Sequence, residues 1–192
     1  MTNRLLRLPL LLALTLVAAL TLVACGGESE PTHHGVDEGS YIQAGPLVYQ
    51  VEISRALNPS NVEDAQYLAG LPAGTPRLAG DEEWFGVWLR VQNATNAPHV
   101  SASQFKIVDT TGATYYPIAL PRSNVFAYQP VDVQSQNGQP VEPDPESAAG
   151  SGPINGSMLL FKLRTSVYAN RPLNLVITPP GGGAPSTVVL DL

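Results

Sequence analysis

The chain has 192 residues, enough for one domain with a sizeable core once its N-terminus is set aside. Charged residues make up only 14%, and 17 Gly with 18 Pro favour turns and short strands over long helices. All sixteen acidic residues follow Cys25, whereas Arg4 and Arg7 precede it, so the part after Cys25 carries eight basic residues and a formal charge of −8. That balance excludes nucleic-acid binding and holds the domain off an anionic lipid surface, so membrane attachment must come from a covalent anchor.

Residues 1–24 read as an export signal. Arg4 and Arg7 form a basic start, Leu8 to Leu20 is an apolar run, and Leu22-Val23-Ala24-Cys25 follows. The run is too short and too abruptly ended for a spanning helix, which needs about 20 apolar residues. Leu22, Val23 and Ala24 before Cys25 resemble the bacterial lipobox. The resemblance implies that a peptidase recognises these three residues and that the Cys25 thiol carries a diacylglyceryl group. Cys25 is the single cysteine, so no intramolecular disulfide can form. Residues 25–40 are polar after the cysteine and lack a hydrophobic period; they are expected to be a flexible tether spanning about 20 Å.

From residue 41 to 192 the pattern predicts one all-β domain. Leu47, Tyr49, Val51 and Ile53 alternate with more polar neighbours, placing one apolar face on a strand. Ser60 and Glu63 have capping-box spacing for one short helix, with Gly70 as its C-terminal stop. Phe85, Val87, Leu89 and Val91 form an apolar face whose alternates, Trp84 and Trp88, are also apolar; this predicts a central strand covered on both faces. Gly86 between the tryptophans predicts a bulge or a close backbone approach. Phe105 and Ile107 begin a third strand, Asp109-Thr110-Thr111-Gly112 turns, and Ala113 to Ile118 returns as a fourth. Asn124 to Tyr128 suggests a short strand, and Val131 to Asn155 a long surface loop. Strands follow at Leu159 to Leu163, Leu173 to Ile177 and Val188 to Leu192. Seven or eight short strands and one helix indicate a β-sandwich.

The runs Trp84 to Asn93, Phe105 to Gly112 with Tyr115, Gly156 to Phe161 and Leu173 to Ile177 resemble a known type. They are similar to the immunoglobulin-like domains of uncharacterised bacterial lipoproteins of the actinobacterial kind. There a strand ends in Asn, a hairpin turns through Asp-x-x-Gly, and a Gly-x-x-Leu-x-Phe strand follows. The resemblance implies an extracytoplasmic, immunoglobulin-like sandwich and supplies no catalytic residues.

No catalytic constellation is expected. His33 and His34 fall in the tether and His99 in a Pro-containing loop, without ligand spacing between them. Ser103-Gln-Phe-Lys106 has the Ser-x-x-Lys spacing of penicillin-recognising enzymes but lacks the companion motifs, and Asp109-Thr-Thr-Gly112 reads as a turn. Asp132, Glu142, Asp144 and Glu146 cluster in a Pro-rich loop and are a candidate calcium site. Trp84 and Trp88 are a candidate binding face if exposed and core if not; Tyr115, Tyr116, Phe126 and Tyr128 are expected to pack inside. The expected role is a non-catalytic module on the outer face of the cell membrane, anchored by its lipid and binding an envelope protein or glycan through loops or an edge strand. The alternatives are a small-ligand or calcium-binding lipoprotein of an uptake or sensing system, and an enzyme. No cofactor other than calcium is anticipated.

Overall fold

The computed structural model describes residues 30–134, 140–144 and 146–190. Cys25 and its preceding Leu22, Val23 and Ala24 lie outside these residues. Among the described residues, no helix is long and apolar enough to cross a membrane.

The strands are β1 (His34–Gly35), β2 (Tyr41–Ala44), β3 (Leu47–Leu57), β4 (Glu82–Gln92), β5 (His99–Val100), β6 (Gln104–Val108), β7 (Thr114–Tyr115), β8 (Asp132–Val133), β9 (Pro140–Glu142), β10 (Ser157–Arg164), β11 (Leu173–Thr178) and β12 (Ser186–Leu190). Helix α1 (Val62–Ala65) and helix α2 (Ala148–Ser151) are single turns. Sheet one has the order β10-β4-β3-β2, with β9 also on β4; sheet two has β1-β12-β11-β6-β7. All pairings within these sheets are antiparallel except β1 with β12.

The ladders β3-β4-β10 and β12-β11-β6 reproduce the two sheets of an immunoglobulin-type sandwich. The position beside β10 that completes such a sheet is filled by single bridges, Ile118 to Leu160 and Ala127 to Met158. The expected strand over Asn124 to Tyr128 is therefore a turn-rich segment touching β10 at one point. The expected fourth strand shortens to Thr114–Tyr115, because Pro117 has no N–H to continue a ladder. Ile118 then crosses to the other sheet, donating its N–H to Leu160 O at 2.7 Å.

The opposite side of the sandwich is closed from the N-terminus. Thr32 exchanges backbone bonds with Tyr41 and Gln43 beside β2, and two residues later β1 pairs with β12. This corrects the tether expected to run to Ser40: Thr32, His34 and Gly35 belong to the folded unit. The reason is close backbone packing at Gly35, where an added Cβ would sit 2.5 Å from Ile42 Cδ1. His33 and His34 accordingly hold the seam, with Nδ1 atoms 3.1 Å from Ser186 Oγ and 2.9 Å from Thr187 Oγ1.

The main core lies between the sheets. Tyr49, Val51, Phe85, Val87, Leu89, Phe161, Ile107, Leu175 and Val188 are almost wholly buried there. Ile53 leaves this face, contrary to its alternation. Val51 pairs with Leu89 and Ile53 with Trp88, so Glu52 is an extra residue that inverts the side-chain alternation. Glu52 turns outward to Arg90 at 3.3 Å, and Ile53 joins a second cluster on the outer face of sheet one. Residues 131–155 are not simply a surface loop: Val133 is wholly buried in the main core, β9 pairs with β4, and Ala149 of α2 is buried.

Candidate functional site

The second cluster comprises Leu57, Tyr67, Trp84, Trp88, Leu120, Ala127, Met158 and Leu160. Trp84 is 5% exposed and Trp88 0%. The candidate binding face is thus interior, and its cover is not the second sheet but the segments around 58–80 and 118–127. Tyr67 stands edge-on to Trp88 and to Phe126, with ring centroids 5.1 and 4.9 Å apart. Gly86 makes the expected close approach: a Cβ there would lie 2.6 Å from the Trp88 ring, which crosses the strand at this point. The Trp88 indole nitrogen is buried without a hydrogen-bond partner, and Arg55 lies over the ring at 5.4 Å.

Three devices hold this cover. Asn61, not Ser60, caps α1 by accepting from the Glu63 N–H at 2.8 Å, and α1 ends at Gln66 rather than Gly70. Gly70 instead serves a later turn at φ 74°. Asp64, 5% exposed, accepts from Arg55 at 2.5 Å and from the Asn58 N–H at 2.8 Å. The Arg55 hydrogen bond holds the Asp64 carboxyl below its ordinary range, ahead of the opposing effect of burial. Buried Asn124 donates to Tyr67 O and Ala69 O at 2.9 and 3.0 Å and accepts from Phe126 N at 3.0 Å.

Beside this cover lies an open cleft of about 240 Å³. Arg122, Val125, Val131, Asp144, Ser147 and Ser157 are among the residues that line it. Ser147 Oγ donates to Asp144 O at 2.6 Å and accepts from Gly150 N at 3.1 Å, which caps α2. Asp144 Oδ1 accepts from the Glu146 N–H at 2.9 Å. Arg122 is exposed and has no ion pair among the described residues. The lining contains no His, Cys or Lys. Arg122 and Asp144 place a cation and a carboxylate in a lining of mixed polar and apolar side chains.

Asp132, Asp144 and Glu146, the candidate calcium ligands whose side chains are described, do not form a cluster among the described residues. Asp132 is exposed on β8, opposite Val100 of β5. Asp144 and Glu146 sit in the turn before α2, where Asp144 Oδ1 accepts the Glu146 N–H. Glu142 enters β9 opposite Val91, and its side chain is outside what is described. Among the described residues, no three His, Cys, Asp or Glu side chains converge on a point where a metal could sit.

The strongly perturbed groups serve structure. Burial pushes the Tyr49 phenol up to about 12; its oxygen accepts from the Ala102 N–H at 2.7 Å. Tyr168 is likewise raised to about 12, by burial and then by Glu83. Asp109 is lowered, chiefly by the Thr111 hydroxyl, and also accepts from the Thr111 and Ala113 N–H groups, which confirms it as a turn residue. Lys106 lies on strand β6 and not on the helical face a Ser-x-x-Lys nucleophile requires. Of the expected packing aromatics, Tyr115, Phe126 and Tyr128 pack against the cores, whereas Tyr116 is 69% exposed. Buried Asn93 was legible only as the end of a strand. It donates to Ala97 O and Val133 O, both at 2.8 Å, and accepts from Thr95, tying the insert to the sandwich.

The chain is therefore an all-β sandwich with a covered outer face and a cleft lined partly by polar side chains. No protein-family model matches it, and no curated protein matches it in sequence. Two solved structures are similar. One, described as a "putative lipoprotein (ycdA)" from Bacillus subtilis, is 13% identical with a TM-score of 0.49, over 80% of this chain and 38% of that one. This chain thus spans about two fifths of that protein's length. The other, an uncharacterized beta-sandwich protein from Clostridium difficile, is 10% identical with a TM-score of 0.36, over 86% of this chain and 99% of that one.

Proposed function

We propose that the chain is a lipoprotein held on the outer face of the cell membrane by a diacylglyceryl group on Cys25, and that its sandwich is a non-catalytic binding module for an envelope protein or glycan. The carrying observation is the order Leu22-Val23-Ala24-Cys25 after a basic start and an apolar run, followed by a polar stretch and a sandwich. Two acyl chains anchor stably where one holds only marginally. Seven residue steps from Cys25 to Thr32 limit the reach of the domain from its anchor to about 25 Å.

The way a partner is engaged follows from the edges. Crossing segments bond to β10 on one side and to β2 and β12 on the other, which leaves little free ladder for an added strand. The cleft between Arg122 and Asp144 is the better contact. Expression of the full chain in a bacterial host tests the anchor. Intact mass should show loss of residues 1–24 and a diacylglyceryl addition, and Cys25→Ser should leave the membrane fraction. An unmodified thiol with residues 1–24 still attached would overturn the reading.

A further inference from the structure

The segment that runs from Asn124 to Val131 leaves backbone groups unspent beside the cleft. Phe126 O accepts from the Met158 N–H at 2.7 Å, and the Tyr128 N–H donates to Met158 O at 2.8 Å, so these two residues turn their backbone groups to β10. Successive residues of an extended chain bond to opposite sides. Ala127 and Gln129 therefore turn theirs away from β10, and both line the cleft. The Ala127 N–H is taken by Asn124 O at 3.1 Å, and the Gln129 side-chain amide donates to Leu120 O at 3.0 Å. The Ala127 carbonyl and the Gln129 N–H and carbonyl have no partner among the described residues. The free stretch ends at Val131, whose N–H and carbonyl are both bonded to Ser101.

Backbone donors and acceptors two residues apart are what a second extended chain pairs with. The side chains of the lining add a preference. Arg122 carries a guanidinium without an ion pair among the described residues. Asp144 lines the same cleft, in a chain that carries −8 after Cys25, so a ligand with several carboxylates is repelled and one with a single carboxylate is favoured. The lining has no Trp, Tyr or Phe, and so offers no flat face on which a sugar ring could stack. At about 240 Å³ the cleft is smaller than the roughly 300–1,000 Å³ of a site that encloses a whole ligand, so it suits part of a longer molecule.

We infer that the cleft takes a short extended segment of a peptide that carries one carboxylate, with the peptide main chain on Ala127 and Gln129 and the carboxylate on Arg122. It rests on the binding-module reading above, and of the two partner classes given there it selects the protein. The main-chain bonds are few, because only one turn of the ladder is free between the Asn124 turn and Val131. Specificity then falls to the guanidinium, which can accept a carboxylate from a chain end or from an acidic side chain.

The full chain, purified from its host in non-ionic detergent, is dialysed to equilibrium against pools of N-acetylated tetrapeptides with randomised uncharged side chains. One pool ends in a free carboxylate, a second in an amide, and a third in an amide with a single internal Asp. Mass spectrometry reads the bound fraction. At least one carboxylate pool should be retained about fivefold better than the plain amide pool, the upper end of what an exposed ion pair gives. Which pool it is separates a terminal from a side-chain carboxylate. Arg122→Gln should abolish the difference, whereas Lys106→Gln, which removes the same charge from β6, should leave it intact. Methylation of the peptide nitrogens should lower retention of every pool, since the Ala127 and Gln129 carbonyls then lose their donors. Equal retention of carboxylate and amide pools, or no response to Arg122→Gln or to N-methylation, overturns the inference. Oligomers of N-acetylglucosamine are run alongside. Their retention in place of the peptides overturns it and leaves a glycan-binding module standing; retention of neither overturns it, while intact mass still reads the anchor on Cys25.

Discussion

Asn124→Ala is the sharpest probe of how the cover over the tryptophans is held. The side chain is 5% exposed and makes three hydrogen bonds, to Tyr67 O, Ala69 O and Phe126 N. The Tyr67 bond is buried, so its carbonyl loses a partner with no water to replace it, at about 1–3 kcal/mol. The Ala69 and Phe126 groups are part-buried and can be rehydrated, which lowers their cost to about 0.5–1 kcal/mol each. The expected loss is about 3 kcal/mol. With a urea slope of about 2 kcal/mol per molar, the unfolding midpoint falls by about 1.5 M and the slope stays unchanged. Both tryptophans of the chain lie under this cover, so their fluorescence reports it directly. Acrylamide should quench the native protein weakly and the variant more strongly below the unfolding transition. A midpoint shift under about 0.3 M with unchanged quenching would refute the assignment of Asn124 as the clasp.

Gly86→Ala should cost about 1–3 kcal/mol, because the new methyl meets the Trp88 ring at 2.6 Å and both strand and indole are fixed by packing; a wild-type thermal midpoint would contradict this. Asp64 is held below its ordinary pKa, so its contribution is present above the ordinary carboxylate range and is lost as pH falls below it. Asp64→Asn should therefore unfold at lower urea than wild type at pH 7, with the two curves converging near pH 3; parallel curves across that range would exclude the Arg55 pairing as the cause. Tyr49 has the opposite sign. Its phenol, raised to about 12 from 10, contributes stability below pH 10 that is lost as pH climbs toward 12. Tyr49→Phe should cost about 1–2 kcal/mol at neutral pH, through the stranded Ala102 N–H, and should flatten the alkaline limb of the stability curve. An alkaline limb as steep as that of wild type would remove Tyr49 as its source.

The strands that the pattern located best are those whose side chains face one environment along their whole length. Phe85 to Val91, Leu159 to Leu163 and Leu173 to Ile177 each keep one parity against the main core, and period two suffices to find them. The pattern misled where one residue is added or removed from the ladder. At Glu52 a bulge moves Ile53 to the other face, and nothing in Val-Glu-Ile marks it. At Pro117 the lost donor ends a strand that hydrophobicity alone carries on to Ile118. Short strands with no internal period were invisible for a different reason. β1, β5, β8 and β9 have two or three residues each and exist because a neighbouring edge offers free N–H and C=O groups, a property of the assembled sheet and not of the segment.

The residues that carry the resemblance to immunoglobulin-like domains illustrate what a short motif can and cannot specify. Asn93 ends β4 because its amide binds Ala97, Val133 and Thr95 at once. Asp109 sets its hairpin by three bonds within four residues, and Gly156 admits β10 against β4 where a Cβ would lie 3.1 Å from Trp88 Cβ. Each is spent on the backbone, so each is informative about the ladder and silent about a ligand. The tryptophans were ambiguous for the same physical reason. An aromatic pair on the outer face of a sheet makes a platform or a second core depending on whether another segment arrives to cover it. Here Tyr67 and Phe126 arrive from 17 and 38 residues away in sequence from Trp84 and Trp88, respectively. Function is therefore to be sought where side chains are left over once the backbone is satisfied, as at Arg122, exposed at the cleft and without an ion pair among the described residues.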